Sequence, residues 1–377
     1  MKQVTGIAAA VLALSLAACN DTSNNAPPGG SSSGGSVPSS VVGLQGGTYL
    51  ISVFAKASGD LRPDDLLQMG SSIFAVLQDP NNNPDGTVVS GTTPQSLVLE
   101  YDQTGKVLQT FKVPGHPDGL LAFDSTHVWV STNEDANPEI MIIDTGANTT
   151  KVLTVDTNPL VNGGGLDDMK LVNGVVYASA SNPTVTTSPS PNMAPYSTDG
   201  FGYTAINGVN TGPAVYSITL NSDGATFHLT PALMSSSAAT LLPGKTAVTL
   251  NMTDPDSSAV DPSGDLVTTS QGDSELVFIS GIGTSSQAVS VLPVNLYGNP
   301  WPLDDTRWSP ASGNSFMLLS DNPAQVIYRI DALSGAFPAS TPFSAGQGTL
   351  LQLDTKTGNL TPLFVGMKNP HGLIFVQ

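Results

Sequence analysis

One short element, with a chemically reactive residue at a fixed place, recurs along the chain. In each copy that residue follows proline or leucine and precedes aspartate, glycine or serine. The copies are Pro63-Asp64-Asp65-Leu66, Pro117-Asp118-Gly119-Leu120, Leu166-Asp167-Asp168-Met169, Pro255-Asp256-Ser257-Ser258, Leu303-Asp304-Asp305-Thr306 and Pro370-His371-Gly372-Leu373. Five aspartates and one histidine thus occupy one equivalent position, which we call the channel ring.

Two interpretations of these aspartates follow from their chemistry. A single aspartate in such a context caps a turn, accepting hydrogen bonds from backbone N–H groups two residues on. Five carboxylates that converge repel one another and raise their own pKa values, and a bound divalent cation removes that repulsion. Calcium takes about 6–8 oxygen ligands, so the set predicts a Ca²⁺ site. Its candidate ligands are Asp64, Asp118, Asp167, Asp256 and Asp304.

Short apolar runs must position this ring. From about residue 46 the chain alternates runs of Val, Leu, Ile, Phe and Thr with Gly, Asp, Asn and Pro, without a helical period. Copies of the element are 54, 49, 89, 48 and 67 residues apart. Units near 50 residues with about four strands are typical of propeller blades. Apolar runs that follow the first five copies after a turn are Ile73–Leu77, Val128–Ser131, Val175–Ser179, Leu266–Thr269 and Phe316–Leu319.

The sequence therefore predicts an all-β fold, a β-propeller over residues 46–377 with six blades of about four antiparallel strands. The last copy leaves no room for a blade after it, so 371–377 must pair with strands from elsewhere. Gly47–Ala55 is the candidate for this closure of N- and C-terminal strands. The interval of 89 residues between Asp167 and Asp256 could contain a further blade, so seven blades are the alternative. It contains a long insertion, 182–212, which we expect on the same face as the ring.

Composition excludes several classes of protein. Charged residues are 11% of the chain, and 30 acidic residues against 12 basic ones give a formal charge of −18. Nucleic acid binding needs a basic face, so we expect no nucleic-acid partner. Coiled coils need many Glu, Lys and Ala at helical spacing, which is absent. The hydrophobic content of 39% is enough to build a substantial core.

The N-terminus resembles a bacterial lipoprotein signal. Lys2 precedes an apolar run that ends in Leu16-Ala17-Ala18-Cys19, which resembles a lipobox. We expect a signal peptide over 1–18 and, at Cys19, acylation that attaches the protein to a membrane. An ordinary signal with a chance cysteine is the alternative. Residues 19–45 are rich in Ser, Gly, Pro and Asn and predict a flexible tether. The expected location is the bacterial cell envelope, with the outer membrane, on its periplasmic or surface side, favoured by Asn20 if Gram-negative.

The stretch Pro117-Asp118-Gly119-Leu120-x-x-Phe123-Asp124 resembles the inner-strand motif of six-bladed propellers of the gluconolactonase and senescence-marker family. Strictosidine-synthase-like and NHL-type propellers share this motif. The resemblance covers roughly 46–377 as a blade rhythm. It implies a metal at the channel, with Asp118, Asp167 and Asp256 as ligands, and hydrolysis of lactones or esters. The chain departs from the family by having aspartates where asparagines are usual, and by lacking a clear counterpart of a first-blade glutamate ligand.

Two functions from different classes remain open at this point. A tethered propeller with an acidic, Ca²⁺-binding channel face would bind a small molecule or protein without catalysis. A metal-dependent lactonase or esterase would use the cation to polarise a carbonyl and an unligated aspartate or histidine to transfer a proton. Candidate catalytic residues are Asp118, His116 and His371, and candidate ligand-pocket residues are Tyr196, Phe201, Tyr203 and Trp301.

Overall fold

The structure is a computed structural model that describes residues 35–157, 160, 164–181 and 212–377. Several sequence predictions fall outside these residues: the signal peptide, the lipidated cysteine, most of the tether, and all but the last residue of the 182–212 insertion. The residues concerned include Cys19, Tyr196, Phe201 and Tyr203. The described residues contain no α-helix. Among them, no helix has the length and apolar character needed to cross a membrane.

The described residues are almost entirely strands and turns. In chain order the first strands are β1 (Val42–Gly43), β2 (Tyr49–Lys56), β3 (Arg62–Met69), β4 (Ser72–Gln78), β5 (Ser96–Tyr101), β6 (Val107–Val113), β7 (Pro117–Ala122), β8 (His127–Thr132), β9 (Glu139–Asp144), β10 (Thr149–Val155), β11 (Leu166–Val172), β12 (Val175–Ala180), β13 (Pro213–Leu220) and β14 (Thr226–Met234). The others are β15 (Ala238–Leu241), β16 (Thr246–Thr249), β17 (Pro255–Val260), β18 (Leu266–Ser270), β19 (Glu275–Ser280), β20 (Ala288–Pro293), β21 (Asn295–Leu296), β22 (Asn299–Pro300), β23 (Thr306–Trp308), β24 (Phe316–Asp321), β25 (Val326–Ala332), β26 (Pro342–Gly346), β27 (Thr349–Leu353), β28 (Leu360–Val365) and β29 (Pro370–Val376).

Antiparallel four-strand units, each starting with the strand that carries a copy of the element, build the fold. The consecutive ones are β3-β4-β5-β6, β7-β8-β9-β10, β11-β12-β13-β14 and β17-β18-β19-β20. The innermost strands contact one another in the cycle β3, β7, β11, β17, β23, β29 and back to β3. A closed cycle of four-strand units is a β-propeller, and the all-β propeller predicted from the sequence is confirmed.

The last two units exchange strands. Their orders are β23-β26-β27-β28 and β29-β24-β25-β2, so the chain leaves the first of them after β23 and returns at β26. Along the chain Phe316–Leu319 follows the Leu303-Asp304-Asp305 copy, but in the structure it belongs to the other unit. Met317–Leu319 pair with Phe375–Leu373 of β29. A repeat read in chain order cannot reveal such an exchange, because both units contain equally regular apolar runs.

N- and C-terminal strands close the ring within one sheet. Strand β2 pairs with β25 from Tyr49 to Lys56, and β29 lies at the opposite edge of the same sheet. The two strands are thus members of one unit but not direct partners. Strand β1 adds to the neighbouring unit by pairing with β28. Both final units therefore depend on residues from the beginning of the described chain.

A hairpin occupies the described part of the 89-residue interval. Strands β15 and β16 pair with each other, and β15 runs parallel to β20 at the outer edge of its unit. The described residues of this interval contain no additional four-strand unit beyond those given above.

The apolar core is divided among the spaces between neighbouring units. In one such space, buried side chains of the first unit (Phe74, Val98) pack with those of the second (Leu120, Val128). Each fully buried side chain of this size contributes about 1.5–3 kcal/mol. The units are held face to face, and this fixes the position of the strand ends that carry the channel ring.

Candidate cation site in the central channel

A β-bulge interrupts the innermost strands at the repeated element. Pairing shifts register between Pro63 and Leu66, and at the equivalent places in the β7–β8, β11–β12, β17–β18 and β24–β29 pairs. A bulge adds a residue to one strand and re-aims its side chains. The ring residue consequently faces the channel, while the residue after it lies against the next unit.

The structure brings all six ring residues together around one cavity of about 460 Å³. Further acidic residues, from the loops and from the segment before β17, reach the same cavity. No Phe, Tyr or Trp side chain lies among its described lining residues. Those that bear on the chemistry are Asp64, Asp118, Asp167, Asp256, Asp304, His371, His116, Glu134, Asp135 and Asp254.

Four of the six ring residues have amide or imidazole partners. Asp64 accepts hydrogen bonds from Gln78 Nε2 (2.8 Å) and Asn322 Nδ2 (3.2 Å), and its Oδ1 lies 2.8 Å from His371 Nδ1. Asp304 Oδ2 lies 3.3 Å from the same imidazole nitrogen. Gln271 Nε2 donates to Asp256 at 2.5 Å. Asp64, predicted as a metal ligand, is therefore already the ion-pair partner of His371.

The other two ring residues, Asp118 and Asp167, have no amide or basic partner among the described residues. Asp118 is only 9% exposed, and in the described part of the chain its carboxyl is hydrogen-bonded to the carboxyls of Asp64 and Asp167. Asp167 is also hydrogen-bonded to the Asp256 carboxyl, and it receives a long bond of 3.4 Å from Ser181 Oγ. One oxygen each of Asp118, Glu134 and Asp167 lie within 4.8 Å of one another. We call these three residues the cation trio.

Charge crowding shifts the pKa values of the trio upward. Burial, reinforced by Asp167 and Glu134, raises the pKa of Asp118 well above its ordinary value. Burial also raises the pKa of Glu134, and it raises that of Asp167 to about 7 despite a hydrogen bond from Asp118. Near neutral pH the trio must therefore share protons or take up a cation.

Asp64 and His371 differ from the trio, because together they form an ion pair. Burial opposes ionisation of Asp64, but the charge of His371, together with hydrogen bonds from Asp118 and His371, outweighs burial and holds the pKa of Asp64 below its ordinary value. Burial alone would lower the pKa of His371, yet Asp304 and Asp64 raise it to about 10. His371 is thus an imidazolium at neutral pH and compensates one side of the ring permanently.

The residues of the cation trio fit a hard divalent cation. Three carboxylates supply charge and oxygen atoms, and water or ligand oxygens would complete the roughly 6–8 positions that Ca²⁺ prefers. The only cysteine of the chain is Cys19, outside the described residues, so no thiolate is available among the described ones for a softer metal. Glu134 is in the loop after β8. The sequence could place this loop on the face of the ring, but it could not show that Glu134 lies beside Asp118 and Asp167.

A second set of three aspartates was not recognised from the sequence as a group. Asp65, Asp168 and Asp305 follow alternate ring residues, and we call them the second triad. Each accepts a hydrogen bond from a backbone N–H of the next unit: Leu120 (2.7 Å), Ser258 (2.9 Å) and Leu373 (2.8 Å). These bonds join the units in pairs around the channel.

Glycine takes the equivalent position in two of the intervening units for a steric reason. A Cβ on Gly119 would lie 2.6 Å from Asp168 Cα, and one on Gly372 would lie 2.5 Å from Asp64 O. Atoms of the neighbouring backbone cannot move aside as a flexible side chain could. In the sequence, the residue after each ring residue alternates between Asp and Gly or Ser. This alternation is the signal that could have predicted the second triad.

The remaining predicted site residues divide between the cavity and the core. His116 lines the cavity, donates from Nδ1 to Asn82 O (2.9 Å) and has Nε2 at 3.8 Å from Glu134 Oε1. Trp301 does not line the cavity. It packs against a buried cluster that includes Leu303 and Val294, so its prediction as a pocket wall is corrected to a role in packing.

Comparisons with known proteins support no narrower assignment. No protein-family model and no curated protein matches the chain. Among solved structures, one of a protein of unknown function from Bacteroides caccae is 12% identical, covers 85% of this chain and 88% of its own, and has a TM-score of 0.44. A protein proposed to be a gluconolactonase is 13% identical (85% and 96% covered, TM-score 0.39), and a streptogramin B lyase is 14% identical (86% and 90% covered, TM-score 0.43). At these identities and scores, the fold assignment rests on the strand pairing described above.

Proposed function

We propose that this protein is an exported, lipid-anchored propeller of six blades whose channel binds Ca²⁺ at the cation trio and presents it to a ligand or partner. The observation that carries the proposal is the environment of Asp118, which is buried among carboxyls and receives no donor from a basic or amide group in the described residues. Buried charges are ordinarily paired or bind metals. The four-strand units given above support the blade number.

Replacing Asp118 with asparagine should weaken Ca²⁺ binding at least about tenfold, a loss of about 1.4 kcal/mol, because one of three ligand charges disappears while the shape is kept. Calorimetric titration of Ca²⁺ into metal-free protein measures this. The matched control is Asp124→Asn: Asp124 caps an exposed turn, where it accepts bonds from Thr126 and His127 N–H, and it should leave the affinity unchanged.

The same variant separates loss of a ligand from loss of folding. In metal-free buffer at mildly alkaline pH, Asp118→Asn should be at least as stable as the wild type, because it relieves repulsion within the trio. Equal Ca²⁺ affinity for the Asp118→Asn variant and the wild type would refute the assignment of the site.

A hydrolase is the second candidate, favoured by the presence of an imidazole in the same cavity as the trio. Bound Ca²⁺ would supply Lewis-acid polarisation of a lactone or ester carbonyl. His371, held as an imidazolium by Asp64, can donate a proton or stabilise an oxyanion but is poorly suited as a base. A screen of lactones and esters, with and without chelator, decides between binding and catalysis. Turnover that is sensitive to chelator and lost in His371→Gln would support the hydrolase.

Membrane attachment through Cys19 is part of the proposal and rests on the lipobox-like Leu16-Ala17-Ala18-Cys19. The mature chain isolated from a bacterial host should begin at Cys19 and carry the mass of its acyl groups, as intact mass spectrometry can measure. Cys19→Ser should release the protein into the soluble envelope fraction. A mature N-terminus elsewhere, without acyl groups, would contradict anchoring; an outer-membrane position is checked by fractionating the same cells.

A further inference from the structure

We propose that Arg307 is a built-in cation that fills the second triad and thereby confines exchangeable Ca²⁺ to the cation trio. This inference rests on the proposed Ca²⁺ function and names the residue that determines where the cation binds. The second triad resembles the trio in its chemistry, since three carboxylates converge in each. What differs between them is the presence of a basic side chain.

The contacts of Arg307 reach all three members of the second triad. Its Nη1 donates to Asp305 Oδ1 in a short contact, and its Nη2 lies 3.9 Å from Asp65 Oδ1 and 3.7 Å from Asp168 Oδ2. Nη1 also donates to Ser258 O at 2.7 Å, which fixes the guanidinium against the neighbouring unit. These carboxylates come from three alternate units, so one guanidinium neutralises charge contributed by every second unit around the channel.

A second base completes the compensation. Lys170 Nζ lies 2.5 Å from both carboxylate oxygens of Asp168. The side chains of Asp168 and Asp305 are only 4% and 1% exposed, so their charges need partners inside the protein. Three carboxylates are thus matched by two fixed cations. The trio has no guanidinium or ammonium group in contact with it among the described residues.

Removal of the guanidinium should convert the second triad into a cation site. Without the guanidinium the three carboxylates would keep only Lys170 as a compensating cation, and a divalent ion would restore the balance of charge. The carboxylates would remain hydrogen-bonded to the backbone N–H groups that orient them. A purely structural role for Arg307 would give the variant a stability defect but no new Ca²⁺ site. The number of Ca²⁺ ions bound per chain therefore distinguishes a blocking role of Arg307 from a purely structural one.

The test is calorimetric titration of Ca²⁺ alone into the mature protein and its Arg307→Met variant. The wild type should bind one Ca²⁺ per chain and Arg307→Met two, the additional one disappearing in Arg307→Met/Asp168→Asn. Arg307→Lys, which keeps a charge, should stay at one. Arg329→Met is the matched control, because Arg329 pairs with Asp331 at an exposed position, and it should also bind one. An Arg307→Met variant with wild-type stoichiometry would overturn the proposal.

Two further measurements keep the inference testable. Should Arg307→Met fold poorly, its yield on refolding should rise with Ca²⁺ more steeply than that of the wild type; no Ca²⁺ dependence beyond the wild type's would count against it. In wild-type crystals soaked with Ca²⁺, an ion among Asp65, Asp168 and Asp305 would also overturn it. Failure of the wild type to bind any Ca²⁺ refutes the proposed function instead, while a gain of Ca²⁺ binding in Arg307→Met would still establish the blocking role.

Discussion

Truncating Phe54 to alanine is expected to lower the free energy of unfolding by about 3–5 kcal/mol, the range for deleting a buried aromatic side chain. Phe54 is 4% exposed and packs edge-on against Tyr101 of the first unit, with ring centroids 5.8 Å apart. Because β2 belongs to the last unit, this contact joins the two ends of the ring. Denaturant unfolding followed by tryptophan fluorescence measures the change.

Leu50→Ala is the matched control for Phe54→Ala. Leu50 is in the same strand but 55% exposed, opposite Asp331, so its truncation should cost less than about 0.5 kcal/mol. Equal effects of the two variants would contradict the placement of β2. A small effect of both would mean that the ring closes without this strand.

The metal-free protein should lose stability as the pH rises from about 5 to about 9. Burial raises the pKa of Asp167 to about 7, and burial with the Asp64 charge raises that of Asp304 to about 7 although His371 opposes it. A carboxyl with a raised folded-state pKa stabilises the protein below its unfolded pKa, and this stability is lost as pH rises through the folded value.

Deprotonation of His371 also lowers the stability of the protein as the pH rises. Its pKa of about 10 exceeds the ordinary value of 6.5, so its stabilisation is complete below 6.5 and lost towards 10. We expect Tm in chelator to fall by about 5–10 °C across this range. Saturating Ca²⁺ should remove most of the fall, because the ionised trio binds it best at high pH. A Tm that is constant or rises between pH 5 and 9 in chelator would contradict the crowding of buried carboxyls.

The fold was predictable because its signals are local. Alternating apolar runs with a repeated turn element specify strands of a propeller, and nearly every predicted run is a strand. The exchange of strands between the last two units was not predictable, since Phe316–Leu319 and Leu350–Leu353 are equally good strands in either unit. Pairing partners depend on distant chain segments, which periodicity does not encode.

The residues that line the candidate site were predictable from the sequence, but their hydrogen-bond partners were not. Repeat spacing placed the ring residues, and they do line one cavity. It could not show that Asp64 is saturated by Gln78, Asn322 and His371 while Asp118 is not, because those partners lie on other strands and units. Bulges explain much of the rest: in five of the six elements they turn one residue to the channel and the next to a neighbouring unit, so adjacent aspartates have different roles.

The most direct test of the Ca²⁺ assignment is a crystal of the mature protein soaked in Ca²⁺ and examined for anomalous difference density. We expect one peak in the channel cavity, about 2.3–2.6 Å from carboxylate oxygens of Asp118, Glu134 and Asp167. A cavity without such a peak at saturating Ca²⁺, with ions only at exposed turns such as that of Asp124, would contradict it.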